Sequence, residues 1–139
     1  FLMKLRAILT MLAISAAASL PLLGHHSFAA EFDSNKVVTL TGKFTKMDWV
    51  NPHSWIHMEA INPATNKMET WDIETGPPNT LYRNGWRKTD IPEGSEIQVV
   101  GTLAKNGSNT VNARTVRTPG GKTLLAGSSE GNIPPANKQ

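Results

Sequence analysis

The four histidines of this 139-residue chain fall in two places: His25-His26 after an apolar leader, and His53 and His57 within Asn51-Pro52-His53-Ser54-Trp55-Ile56-His57. Neutral imidazole binds copper and zinc well, and the chain has no cysteine to compete as a thiolate. If the leader is cut after Gly24, His25 becomes the first residue. Its α-amine and Nδ1 can then chelate one ion. A second imidazole would complete the T-shaped three-nitrogen set called a histidine brace, which suits copper. His26 points away from His25 in an extended segment, so it supports the site rather than sharing the ion. His53 is the better second ligand, giving an expected metal set of His25, His26 and His53. Copper motifs that need histidine in third place are excluded, because Ser27 stands there.

Spacing argues against one four-histidine cluster. In a strand His53 and His57 share a face but lie about 13 Å apart, at roughly 3.3 Å per residue. Nitrogens of one metal must come within about 4 Å of each other, since each sits about 2 Å from the ion. Only one of the two can join a site unless the chain bends at Asn51-Pro52. The plainer readings are that His53 caps a turn, that His57 points outward beside Glu59, and that His25-His26 is a stub.

Trp49, Trp55 and Trp71 carry a rival chemistry. Aromatic faces on a strand surface stack sugars, bases or peptide prolines, which would make the chain a binding or adaptor module with no metal. Packing is the ordinary use of such side chains in a small domain, and Trp86 is expected to support a helix. Asp72 and Glu74 share a strand face, but exposed β carboxylates usually serve solvation. No phosphate loop, zinc-protease motif or serine nucleophile motif occurs, so no catalytic residues are expected.

The elements that must position these residues read as β. Val37 to Thr45 alternates Val38, Leu40 and Phe44 on one face, with Gly42 suggesting a bulge or a tight bend. Ser54 to Ile61 and Lys67 to Thr75 form two more strands across the turn at Asn62 to Asn66. Asn79 or Thr80 could cap a short helix stopped by Asn84-Gly85. Ser95 to Leu103 and Val111 to Thr118 follow, with a bend at Gly101 and a hairpin at Asn106-Gly107. A short sixth strand is expected over Thr123 to Leu125. Three strands, a short helix and two or three strands is the order of a five- to six-stranded Greek-key barrel of the oligonucleotide/oligosaccharide-binding type, with a β-sandwich as the alternative.

Lys4 and Arg6, the apolar stretch 7–20, Pro21 and the small residue Gly24 have the build of a secretory signal peptide, too short for a comfortable membrane span. Cleavage after Ala29 is the competing choice and would discard both leading histidines. The expected organisation is a signal peptide over 1–24, one β domain over 25–126 and a flexible tail over 127–139. Cleavage after Gly24 leaves 115 residues and removes two cations, taking the net charge from +3 to +1. Such a balance offers no electrostatic case for nucleic acid. Export without cysteine points to a bacterial periplasm, where a metal ion or a partner protein is the expected company.

His25-His26-Ser27-Phe28 with Glu31-Phe32-Asp33, then Asp48-Trp49-Val50-Asn51-Pro52-His53-Ser54-Trp55-Ile56, then Gly76-Pro77-Pro78-Asn79 through Gly85-Trp86, resemble a family of small secreted bacterial proteins classified only as a domain of unknown function (DUF6152). Pro92-Glu93-Gly94, Asn106-Gly107-Ser108-Asn109 and Ala113-Arg114 continue the likeness. The resemblance implies that His25 follows the signal cut directly, and that Asn51, Pro52, His53 and Trp55 form one motif to which His57 does not belong. It implies no activity.

Overall fold

The computed structural model describes residues 28–127; the leader, His25, His26 and the tail from residue 128 lie outside them. The elements run α1 (Phe28–Glu31), β1 (Phe32–Asp48), β2 (Trp55–Ile61), β3 (Met68–Glu74), α2 (Pro78–Arg83), β4 (Glu96–Ala104), β5 (Thr110–Arg117) and β6 (Thr123–Leu125). All six strands belong to one sheet, ordered β3-β2-β1-β4-β5-β6, and β3 also pairs with β5. That extra, parallel pairing (Asp72 with Thr110, Ile73 with Val111, Glu74 with Asn112) returns the sheet on itself. The result is a ring β1-β2-β3-β5-β4 with β6 added on β5 and one short helix after the third strand, an all-β fold of the expected order rather than two stacked sheets.

The longest departure from expectation is β1. Its pattern becomes regular only at Val37, yet the strand begins at Phe32, which pairs with Ala104 before the ladder resumes at Val37 and Thr102. Residues 34–37 between are exposed, so no alternation marks them. A strand this long serves both halves of the ring: it pairs with β4 up to Lys43 and with β2 from Gly42 onward.

Gly42 does not carry the bulge expected of it. The register slips two residues later, between Phe44 and Lys46, and Thr45 uses its Oγ1 to donate to the His57 carbonyl at 2.7 Å. Gly42 is instead a close approach: a Cβ there would stand 2.0 Å from the Glu59 carbonyl oxygen. The bend expected at Gly101 is found, as a register slip between Val100 and Gly101 against β5. A Cβ at Gly101 would meet the Asn112 carbonyl oxygen at 2.2 Å.

Inward residues of every ring strand form the core: Leu40 and Phe44, Ile56 and Met58, Trp71 and Ile73, Ile97 and Val99, and Val111, Ala113 and Val116. α2 closes one end. It begins at Pro78, one residue ahead of the expected cap, and Pro77 at the N-cap makes no side-chain bond. Proline suits a first helical position because its missing N–H would be unsatisfied there anyway. At the other end Gly85 takes φ 90°, Gly85 N–H donates to the Tyr82 carbonyl and Trp86 N–H to Leu81. This doubled closure seats Leu81 and Trp86 together in the core. Trp86 Nε1 donates to the Leu125 carbonyl at 2.8 Å, which ties the end of α2 to β6.

Candidate functional site

His53 stands at the end of the loop joining β1 to β2, one residue beyond the cis Asn51–Pro52 bond and two before the β2 ladder begins. It does not cap a turn through a backbone group. Its Nδ1 lies 3.1 Å from Glu74 Oε1, a carboxylate whose side chain is 9 % exposed. Glu74 gets there by register: it faces Trp55 across β2–β3 and Asn112 across β3–β5. Asn112 is fully buried and donates through Nδ2 to the same oxygen at 3.3 Å. His53 Nδ1 is shielded from solvent yet makes no aligned hydrogen bond, and Asn112 Oδ1 is buried without a partner. The His53–Glu74 contact is therefore close but not locked in direction.

Burial raises the proton affinity of Glu74 above the ordinary carboxylate range, and the nearby charge of Glu31 raises it further; His53 and the Asn112 bond act the other way. Glu31 and Glu74 also line a cleft of about 510 Å³ with Phe32, Trp55 and Lys105. Lys105 ties α1 to the end of β4, its N–H donating to the Glu31 carbonyl at 2.8 Å. The segment leading in from the amino terminus thus reaches the sheet beside the Glu74 carboxylate.

His57 lies in a different setting. It points outward from β2 but is only 23 % exposed, because a carboxylate flanks each ring nitrogen: Nδ1 is 2.6 Å from Asp72 Oδ1 and Nε2 2.9 Å from Asp48 Oδ2. Both contacts are hydrogen bonds at once only when both nitrogens carry protons. Lys46 Nζ adds a bond to the same Asp48 oxygen at 3.0 Å. That bond and the one from His57 hold the Asp48 carboxyl below its usual value. His57 has no nitrogen left for a metal. Reading it as a plain outward side chain missed this clamp, which depends on the pairing of His57 with Asp72 and of Lys46 with His57.

The tryptophans do not form one ligand face. Trp71 is 2 % exposed in the core, opposite Met58, because the inward positions of β3 are Trp71 and Ile73. Trp55 is half-buried on the outer side and lines the cleft beside Glu74. Trp49 packs elsewhere, stacked on Tyr82 at 5.2 Å and edge-on to Trp86 at 6.4 Å. Alternation along a single strand cannot show that Trp71 and Trp55, on paired strands, face opposite ways; the register does.

Glu74 and Asn112 are the functional candidates that sequence reasoning passed over. The available signal was a carboxylate at the end of an inward-outward strand and an asparagine between Val111 and Ala113. Among the described residues no group of three or more histidine, aspartate or glutamate side chains is placed to hold a metal ion. His53 is the one expected ligand they include; His25 and His26 lie outside them.

No curated protein and no solved structure matches the chain. A family described as a family of unknown function, DUF6152, matches residues 12–113. The match takes in the histidine pair, the Asn51-Pro52-His53-Ser54-Trp55 loop, Glu74 and Asn112. Covering well over half of the sequence, it places the chain in the DUF6152 family.

Proposed function

We propose that the protein is an exported, periplasmic metal carrier that takes copper and performs no catalysis. The ligands are the α-amine and Nδ1 of His25 and the Nε2 of His53, with His26 in support. One observation carries this reading: His53 turns Nδ1 onto the buried Glu74 carboxylate, which leaves Nε2 as the nitrogen to offer. A carboxylate behind the far nitrogen is the usual setting of a metal-binding histidine, since it fixes the ring and makes the other nitrogen a better donor. Phe28 is three residue steps from His25, at most about 10 Å of extended chain. Phe28 begins the helix whose last residue, Glu31, lines the Glu74 cleft.

Intact mass of the exported protein comes first, followed by Cu(II) titration under EPR. The expected mature mass begins at His25. Nitrogen hyperfine structure should be seen in the wild type and lost in His25→Ala and in His53→Ala, while His57→Ala keeps it. A mature chain beginning at Ala30, or copper binding indifferent to His25 and His53, defeats the reading. A non-metal binding module is favoured by one observation, the Trp55 cleft. It would bind a ligand through Trp55 alone, since Trp71 is buried and Trp49 packs elsewhere.

A further inference from the structure

On a separate part of the surface, around α2, cations and aromatic rings gather. Tyr82 is 39 % exposed and stacks on Trp49, with Arg87 over the Tyr82 ring at 6.0 Å and Lys88 over the Trp49 ring at 5.9 Å. Arg83 adds a third exposed cation, and Lys122 joins them by donating from Nζ to the Gly85 carbonyl at 3.2 Å. Val50 is 48 % exposed beside Trp49, and Leu125 is 54 % exposed on the strand whose carbonyl receives Trp86.

The charge of this patch is not neutralised locally. Asp90 is the nearest acid in sequence, and its carboxylate accepts from the Arg87 backbone N–H at 2.7 Å. The side-chain donors of Arg83 and Arg87 go to a threonine hydroxyl and to backbone carbonyls. Among the described residues no ion pair is formed by Arg83, Arg87, Lys88 or Lys122. Arg83, Arg87, Lys88 and Lys122 thus keep their charge, whereas the carboxylates of Asp48, Asp72 and Glu74 contact His57 and His53.

We propose that this patch seats the protein on an anionic bilayer surface. The chemistry fits that partner on two counts. Tyrosine and tryptophan favour the headgroup level, where an amphipathic ring has one side apolar and one wet. Lysine and arginine near an anionic leaflet each add attraction that fades within a screening length. Exposed Val50, next to Trp49 in the chain, and Leu125, whose carbonyl receives Trp86, add apolar surface that an acidic peptide would not need. The proposal is independent of the metal reading, because no residue is shared between them.

The test is flotation of the mature full-length protein with vesicles of equal parts phosphatidylglycerol and phosphatidylcholine, and with phosphatidylcholine alone. Binding is expected to the anionic vesicles only, and to fade at high salt. Lys88→Gln and Lys122→Gln should each weaken it about fivefold, and the double variant about 25-fold. Lys67→Gln, in the β2–β3 turn, should change it less than about twofold. Thermal midpoints confirm that each variant is folded. Tyr82→Ser gives a second, uncharged probe and should also weaken partitioning. Equal binding to both vesicle types, a Lys67→Gln effect as large as that of Lys88→Gln, or capture of soluble polyglutamate without vesicle binding, would each overturn the proposal.

Discussion

His53 and His57 stand four residues apart, and each touches a carboxylate from an alternate position of β3, yet their chemical freedom is opposite. His57 meets Asp72 and Asp48 at its two nitrogens and is spent on holding β1, β2 and β3 together at the surface. His53 meets Glu74 at one nitrogen, beside a cleft. The difference teaches that what a histidine can bind is set by how many nitrogens its neighbours leave over. Carboxylate contact by itself is ambiguous: at both nitrogens it makes a structural clamp, while at one it leaves the other nitrogen over.

The largest effects on this contrast should come from the backbone that sets each register. Gly101 stands against the Asn112 carbonyl, and Gly42 against that of Glu59. Alanine at either position forces two strands apart and should cost about 3 kcal/mol. The thermal midpoint should then fall by roughly 10–20 °C. The consequences for copper should differ. Gly101→Ala displaces the asparagine that holds Glu74, whereas Gly42→Ala displaces β2 on the His57 side. Copper titration below the lowered midpoints checks this. Equal loss of affinity in both variants would mean that the two histidine regions are not separate.

A smaller effect isolates the carboxylates. Glu74→Gln keeps an oxygen for Asn112 but removes the charge behind His53, and should lower copper affinity about 10- to 100-fold. Asp72→Asn removes the equivalent charge behind His57 and should leave affinity unchanged. Competition titrations against a chelator of known affinity read both. If Asp72→Asn weakens copper as much as Glu74→Gln, His57 belongs to the metal site and the contrast fails.

How much of this was legible beforehand divides along the same line. The fold was open to reading because alternation, turn residues and the helix after the third strand are local signals. Local signals also fixed the end of α2 at Asn84-Gly85. The site was legible only in part. Strand rise argues against His53 and His57 sharing one ion only while the chain does not bend at Asn51-Pro52; what separates them is that each meets a different carboxylate of β3. Which carboxylate each would meet required the registers of β1 with β2 and of β3 with β5, and no property of a single strand encodes those. Trp71 shows the same limit: its facing relative to Trp55 depends on a neighbouring strand. Gly42 shows it for backbone, where glycine marked a close approach and not a bulge.

The subtlest expected effect is in the pH dependence of stability, where the two regions act with opposite sign. Asp48 has its carboxyl held below the usual 3.8 by Lys46 first and His57 second, so its stabilising contribution is full above that value and is lost as pH falls through the lowered one. Glu74 is shifted upward from 4.5, chiefly by burial. The folded protein then holds the extra proton in the window above 4.5, and stability falls as pH rises through it until the whole cost of a buried charge is present. Glu74→Gln should therefore raise the thermal midpoint by a few degrees at neutral pH, with the gain shrinking to nothing below about pH 4.5. Asp48→Asn should flatten only the acid side of the curve. A Glu74→Gln gain that persists unchanged at acid pH would trace to packing and not to the proton. If the gain behaves as expected while copper affinity drops, Glu74 destabilises the metal-free fold and is retained for what it does to His53, which is how a residue kept for binding differs from one kept for folding.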